Sequence, residues 1–229
     1  MLYSWEQLER KVLELGFLPF FTNPIPGFSV EEMTPRELWF SDEVDGPWEW
    51  KGPVIRDWNC AYGKFFNGKA GYISLDWLPD FINWRRHLYP LDLMDPDAQH
   101  VYEVLVEHES LLSKELKVMS GFTLSRKKKF DPSGLETGAK EKNGSLCDKY
   151  IASLENATFV CIADFEYQIS KSGEPYGWGV ARYCTPEAMY GAGIVQTDRT
   201  AEESYQRIRT HLKTLFPGAT DKQLNKFLQ

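Results

Sequence analysis

This chain of 229 residues is short of several things at once. It has only four cysteines (Cys60, Cys147, Cys161 and Cys184), far apart and with no C-x-x-C pair, which excludes a zinc ribbon and a dithiol redox motif. Cysteines this sparse also exclude a dense disulfide framework. No apolar run approaches the roughly 18 residues that a membrane span needs, so no membrane partner is expected. The start, Met1-Leu2-Tyr3-Ser4-Trp5-Glu6, lacks the basic and apolar stretches of a secretory signal, and a cytoplasmic protein is the expectation. The four histidines fall in no H-E-x-x-H or similar ligand spacing, and no G-x-S-x-G elbow is present, so neither a metal site nor covalent hydrolase chemistry is written here. Gly63 to Ala70 nearly spells a phosphate-binding loop. Yet Ala70 stands where a hydroxyl must hold Mg²⁺, and a strand pattern follows instead of a helix. ATP binding is excluded, and no cofactor is expected.

What the chain does have is aromatic side chains, 14% of residues with eight tryptophans, and a net charge of −7. The charge is unevenly spread. Residues 1–110 carry a net −10 and residues 111–229 a net +3, with +4 concentrated in 114–149. An acidic mean argues against a wholly basic nucleic-acid coat, but asymmetry of this kind permits a local basic face.

Local signals give the organisation. Ser4 to Gln7 has capping-box spacing, and Trp5, Leu8, Val12 and Leu15 follow at helical spacing until Gly16. Ser29 and Thr34-Pro35 are further helix starts. Residues 61–66 and 69–74 around Asn67-Gly68 read as a β-hairpin, because both central residues of a type I′ turn need positive φ. Asp76 is placed as the cap of a helix to about Arg86. Trp48-Glu49-Trp50 is read as strand, which would set both rings on one face. Helices are expected after Asp95-Pro96, from Ser113 to Gly121 and from about Ser145 to Leu154. Strands over 158–167 and 176–183 come next, then a helix from Thr200 and a last one from Asp221. Three helices and a β-hairpin are the order of a winged helix, although some 20 residues between the second and third helices far exceed an ordinary helix-turn-helix turn. The fold class is therefore α+β: a winged-helix-type unit (93–190) packed on a Trp-rich α+β half (1–92), with a C-terminal helical segment (191–229). The sequence shows no internal repeat.

Two constellations carry function or packing. Trp48, Trp50, Trp58 and Trp77, with Trp39 and Trp84, either line a cleft that stacks a planar ligand such as an extruded base or fill the core, since tryptophan buries large area wherever it sits. Arg126, Lys127, Lys128, Lys129, Lys142 and Lys149, with Lys140, and Lys171 in the later turn, either neutralise DNA phosphates or form a solvated loop.

The words Ala61-Tyr62-Gly63-Lys64-Phe65-Phe66, Gly71-Tyr72-Ile73-Ser74, Trp77-Leu78-Pro79-Asp80-Phe81 with Arg85-Arg86, and Glu115-Leu116-Lys117 before Gly121-Phe122 resemble the bacterial AlkZ-related proteins. So do Asp164-Phe165, Tyr176 to Ala181 and Thr185-Pro186-Glu187, and the likeness spans residues from about 15 to 190. That family is similar, more distantly, to the AlkZ-type DNA glycosylases, which are built from winged-helix subdomains and excise alkylated or crosslinked bases. The resemblance implies a winged-helix protein that binds double-stranded DNA and is linked to DNA repair. The glycosylases position their attacking water with a Gln-x-Gln or Gln-x-Asp motif near the N-terminus. The comparable stretch here reads Gly16-Phe17-Leu18-Pro19-Phe20-Phe21, without Gln or carboxylate. Two alternatives stay open. One is an active glycosylase using Glu49, Asp57 or Asp76 to activate water, and the other a module binding a protein or a small planar ligand.

Overall fold

A computed structural model describes residues 1–228 apart from Asp42, 124–141, 171–172 and Glu174. Helix α1 (Trp5–Leu15) starts as its sequence dictates, with the Ser4 hydroxyl accepting from the Gln7 N–H, and ends at Gly16, whose φ of 77° only glycine adopts freely. Strand β1 (Phe17–Pro19) leads to a short α2 (Val30–Met33) capped by Ser29, and then to α3 (Pro47–Arg56). The Asn67-Gly68 hairpin forms as expected between β2 (Cys60–Phe66) and β3 (Lys69–Ser74), with φ of 53° and 73° at the turn. The sheet order is β1-β3-β2, antiparallel throughout, with Phe17 opposite Ile73 and Tyr62 opposite Tyr72.

Helix α4 (Leu78–Leu88) joins this unit to a second one. There α5 (Pro96–His108), capped by Asp95, is followed by β4 (Ser110–Leu112) and α6 (Ser113–Met119). Two-residue strands β5 (Phe122–Thr123) and β6 (Lys142–Asn143) pair in parallel before α7 (Gly144–Asn156). The unit closes with the hairpin β7 (Cys161–Ile169) and β8 (Pro175–Cys184). Its sheet order is β4-β8-β7, again antiparallel.

The two halves thus share one topology: helix, short strand, two helices, hairpin, with the short strand pairing with the last strand of the hairpin. The sequences differ, but the backbone repeats even in its rare conformations. Gly16 and Glu109, both at positive φ, end the first helix of each half directly before its short strand. Trp58 (φ 59°) and Thr158 (φ 64°) follow the third helix of each half just before the hairpin. The first half, read from sequence as a Trp-rich α+β body of no particular kind, is therefore built on the same plan as the second.

Helices α8 (Pro186–Tyr190), α9 (Ala201–Leu215) and α10 (Asp221–Leu228) complete the chain. The Thr200–Glu203 capping box at the start of α9 is as the sequence predicts. Buried side chains from both halves and from α9 and α10 form one continuous core. Among the described residues no helix is long and apolar enough to cross a membrane.

Two local expectations are corrected. Trp48-Glu49-Trp50 lies in α3, not in a strand: Pro47 occupies the first helical turn, and the Glu49 carboxylate accepts the Gly46 N–H at 3.0 Å. Successive-but-one residues of a helix point about 200° apart, so the two rings face different surroundings. Asp76 does not cap α4. It is exposed, and the residue at the cap position is Trp77, with no side-chain cap bond.

Candidate nucleic-acid interface

The two halves meet reciprocally. The third helix of each packs against the first hairpin strand of the other: α3 on β7, and α7 on β2. At the first contact the Arg56 guanidinium pairs with Asp164 at 2.9 Å, and Lys51 lies over the Phe165 ring at 4.3 Å. At the second, Glu155 on α7 accepts the Lys64 backbone N–H at 3.2 Å, with the Lys64 ammonium 3.9 Å away. The polarity is reversed between the two contacts, with cation on the helix in one and carboxylate on the helix in the other. Glu155 is completely buried, and that burial pushes its carboxyl up to about 7 against the pull of Lys64. Burial likewise lowers the Lys51 ammonium to about 8. None of these residues stands out in the sequence, because their partners are about 90 to 110 positions away and no local pattern marks them.

This arrangement decides which helix surface is open. Along α3, Trp48 is packed against Phe20, Phe21 and Trp39 (ring centroids 5.4, 6.0 and 5.7 Å), and Trp50 is buried. The C-terminal part of α7 is held by the other half, but Ser145, Leu146, Asp148 and Lys149 in its first turns are exposed. Asp148 pairs with Lys117 of α6 at 2.7 Å.

The β5–β6 pair closes the long connection between the second and third helices of the second half. Phe122 lies opposite Lys142 and Thr123 opposite Asn143, so the chain leaves for residue 124 and returns from residue 141 at adjacent backbone positions. The insertion is closed at its foot, directly before α7, and the second and third helices keep a short effective connection. Arg126, Lys127, Lys128, Lys129 and Lys140 belong to this insertion and lie outside the described residues, as does Lys171 between β7 and β8. Lys142 belongs to β6, and Lys149 sits on the exposed side of α7.

The tryptophans do not converge on one cleft. Trp39 and Trp48 share the Phe20–Phe21 cluster. Trp77 is stacked on His211 at 4.1 Å and covered by Arg207 at 3.8 Å, while Trp84 packs on Phe81 and Tyr205. Trp58 alone of the four singled out is exposed, at 56%. Of the candidate carboxylates, Glu49 caps α3, Asp57 ends it on the surface, and Asp76 is exposed before α4. Residues 16–21, expected from the sequence to stand where the glycosylase motif would be, include β1, and Phe17, Leu18 and Phe20 are completely buried. Among the described residues no group of three or more His, Cys, Asp and Glu converges as a metal would require.

Compared with known proteins, residues 2–229 match the model of the family described as AlkZ related. No curated protein and no solved structure matches the chain.

Proposed function

Because this chain belongs to the AlkZ-related family, we propose that it is a winged-helix protein that binds double-stranded DNA in a repair context and does not excise bases through a glutamine motif. The second half, about residues 93–190, is the DNA-binding unit, and residues 1–92 and 191–229 buttress it. The observation that carries this reading is the β5–β6 closure. It sets Thr123 beside Asn143 directly before the exposed first turns of α7, and the stretch of sequence between those two residues is rich in Arg and Lys. In helix-turn-helix proteins the N-terminal residues of the third helix contact base edges, and cations around it neutralise phosphates. In this reading Ser145, Leu146 and Lys149 enter the major groove. Lys142 and Arg126 to Lys129 hold the backbone, and Lys171 is the contact of the wing. The absence of excision is supported by residues 16–21, which the resemblance sets against the water-positioning motif and which carry buried aromatic and aliphatic side chains and no Gln or carboxylate.

The test is duplex binding across a salt series. The protein is expected to bind at ~50 mM salt and to weaken linearly in log–log form, with Lys149→Glu reducing the slope by about one. Replacing 124–141 by a short Gly/Ser linker should leave a cooperative unfolding transition, since Thr123 and Asn143 already adjoin, and lower affinity at least about tenfold through lost phosphate contacts. Equal affinity of the linker variant and the full chain would remove the basis of the proposal. Incubation with alkylated or crosslinked duplex should release no base, and release would favour the alternative of an active glycosylase.

A further inference from the structure

We propose that the cavity between the first hairpin and the C-terminal helix binds a small anion carried on an apolar, ring-sized body. The cavity measures about 410 Å³, within the range of sites that hold small ligands. Its floor is the stacked pair of Phe66 and Phe227, ring centroids 5.2 Å apart, and Phe21 contributes a partly exposed wall. Lys69 and Lys226 stand in the lining, and no carboxylate does.

Charge is what singles this cavity out. It lies mainly on the half of the chain that carries a net −10, yet its only ionic groups are two cations. Glu31 accepts the Thr22 hydroxyl and N–H at 2.6 and 2.8 Å, which hold its carboxyl below the usual range, with a smaller pull from Lys69. Lys69 donates to the Thr22 carbonyl at 3.2 Å, which leaves its charge without a carboxylate at hydrogen-bond distance. Lys226 is exposed and has no ion-pair partner among the described residues. Two lysines in a lining that also holds the Phe66–Phe227 pair suit a carboxylate or phosphate monoester attached to a ring, because the ion and the apolar body are recognised by different walls.

The floor is also fixed in advance. A Cβ at Gly71 would stand 2.5 Å from the Phe66 ring and 2.8 Å from the Pro19 backbone, so glycine at that position lets Phe66 lie across the strand. The left-handed turn at Asn67-Gly68 then sets Asn67 and Lys69 on the rim. A site formed before the ligand arrives loses little freedom on binding.

The full chain is titrated with adenosine monophosphate, with 1-naphthoate and with inorganic phosphate, followed by calorimetry and thermal shift. Saturable binding of either ring-bearing anion is expected, at least about tenfold tighter than inorganic phosphate, and which of the two binds identifies the source of the anion. Lys226→Glu and Lys69→Ala should each weaken that binding about tenfold, the scale of a lost charge-assisted hydrogen bond, and leave duplex DNA affinity unchanged. The inference is overturned if neither ring-bearing anion binds by millimolar concentration, if phosphate alone binds as well, or if the lysine variants bind normally. A parallel loss of duplex affinity in those variants would also overturn it, by assigning the lysines to DNA instead.

Discussion

Asp80→Ala is expected to lower stability by about 2–4 kcal/mol and the melting temperature by roughly 5–15 °C. Asp80 lies in the first turn of α4 at 2% exposure, and its carboxylate holds α9 against that helix. It accepts the Ser204 hydroxyl at 2.8 Å, a close Arg207 guanidinium bond and a longer Arg199 contact at 3.5 Å. Asn83 completes the junction by donating to Ser204 Oγ and to the Arg199 carbonyl, both at 2.9 Å. Removing the carboxylate leaves the completely buried Ser204 hydroxyl without the acceptor for its hydrogen, though Asn83 still donates to its oxygen, and leaves two cations without their carboxylate. The two arginines keep about a third to a half of their side-chain surface in water. They can turn outward, which holds the cost below that of a fully enclosed broken pair.

The loss should extend beyond the pair. Arg207 covers Trp77, and His211 of the same helix stacks on Trp77 while its ring contacts the Leu15 carbonyl at 2.8 Å. Loosening α9 therefore uncovers Trp77, and a shift of tryptophan emission before global unfolding is expected. Asp80→Asn, which keeps an acceptor for Ser204 but not the charge, should cost about half as much. A double-mutant cycle between Asp80 and Arg207 should show coupling of about 1–3 kcal/mol. A change under about 0.5 kcal/mol for Asp80→Ala would mean that the network behaves as a solvated surface pair and does not dock α9.

Asp80 also shows where sequence reading stops. Its partners lie 119 to 127 residues away, so no window of the chain contains the pattern. What could be read was local: the Ser4, Ser29, Asp95 and Thr200 caps, the Asn67-Gly68 hairpin, and the second hairpin within a few residues of its expected ends. Each of these is decided by neighbours within four or five positions. Helix α3 was lost for the opposite reason. Gly52 and Pro53 lower helix propensity, and packing against α1 and β7, which no local pattern reports, holds the segment helical. The repeated topology escaped because β1, β4, β5 and β6 are two or three residues long and carry no periodicity. For the same reason the β5–β6 pairing that closes the gap before α7 is not legible in the sequence. The DNA contacts proposed above rest on a charge cluster visible in the sequence, at 126–129, whereas a buried carboxylate such as Glu155 looks like any polar residue on a helix.

Glu155→Gln is expected to make the protein more stable at neutral and alkaline pH, by about 2–3 kcal/mol at pH 8, with little difference near pH 5. The cause is the burial that raises the carboxyl from 4.5 to about 7. The folded chain then holds a proton that the unfolded chain has released between those two values. Stability is therefore highest below about 4.5 and declines as pH rises through 7, at up to about 1.36 kcal/mol per pH unit. Above 7 the charged carboxylate stays buried with Lys64 3.9 Å away and one backbone N–H as its hydrogen bond. Other groups that act on it are Tyr62 and Tyr183, whose ionisation burial pushes upward, and Cys161, whose ionisation is pushed upward by its hydrogen bond with Cys184 and then by burial. None of them gains a charge below pH 8. Glutamine keeps an oxygen for the Lys64 N–H but never ionises, so the variant should lose the decline while the wild type keeps it. Urea unfolding at pH 5, 6, 7 and 8 separates the two: a difference that is small near pH 5, grows up to about pH 7 and levels off above it is expected, and a constant difference would show that Glu155 is not the titrating group. Because Glu155 joins α7 to β2, the same titration should weaken the contact between the halves. If α7 is the helix that reads DNA, the wild type's affinity should then carry a pH dependence near 7 that Glu155→Gln abolishes, even though Glu155 itself is buried away from the exposed turns.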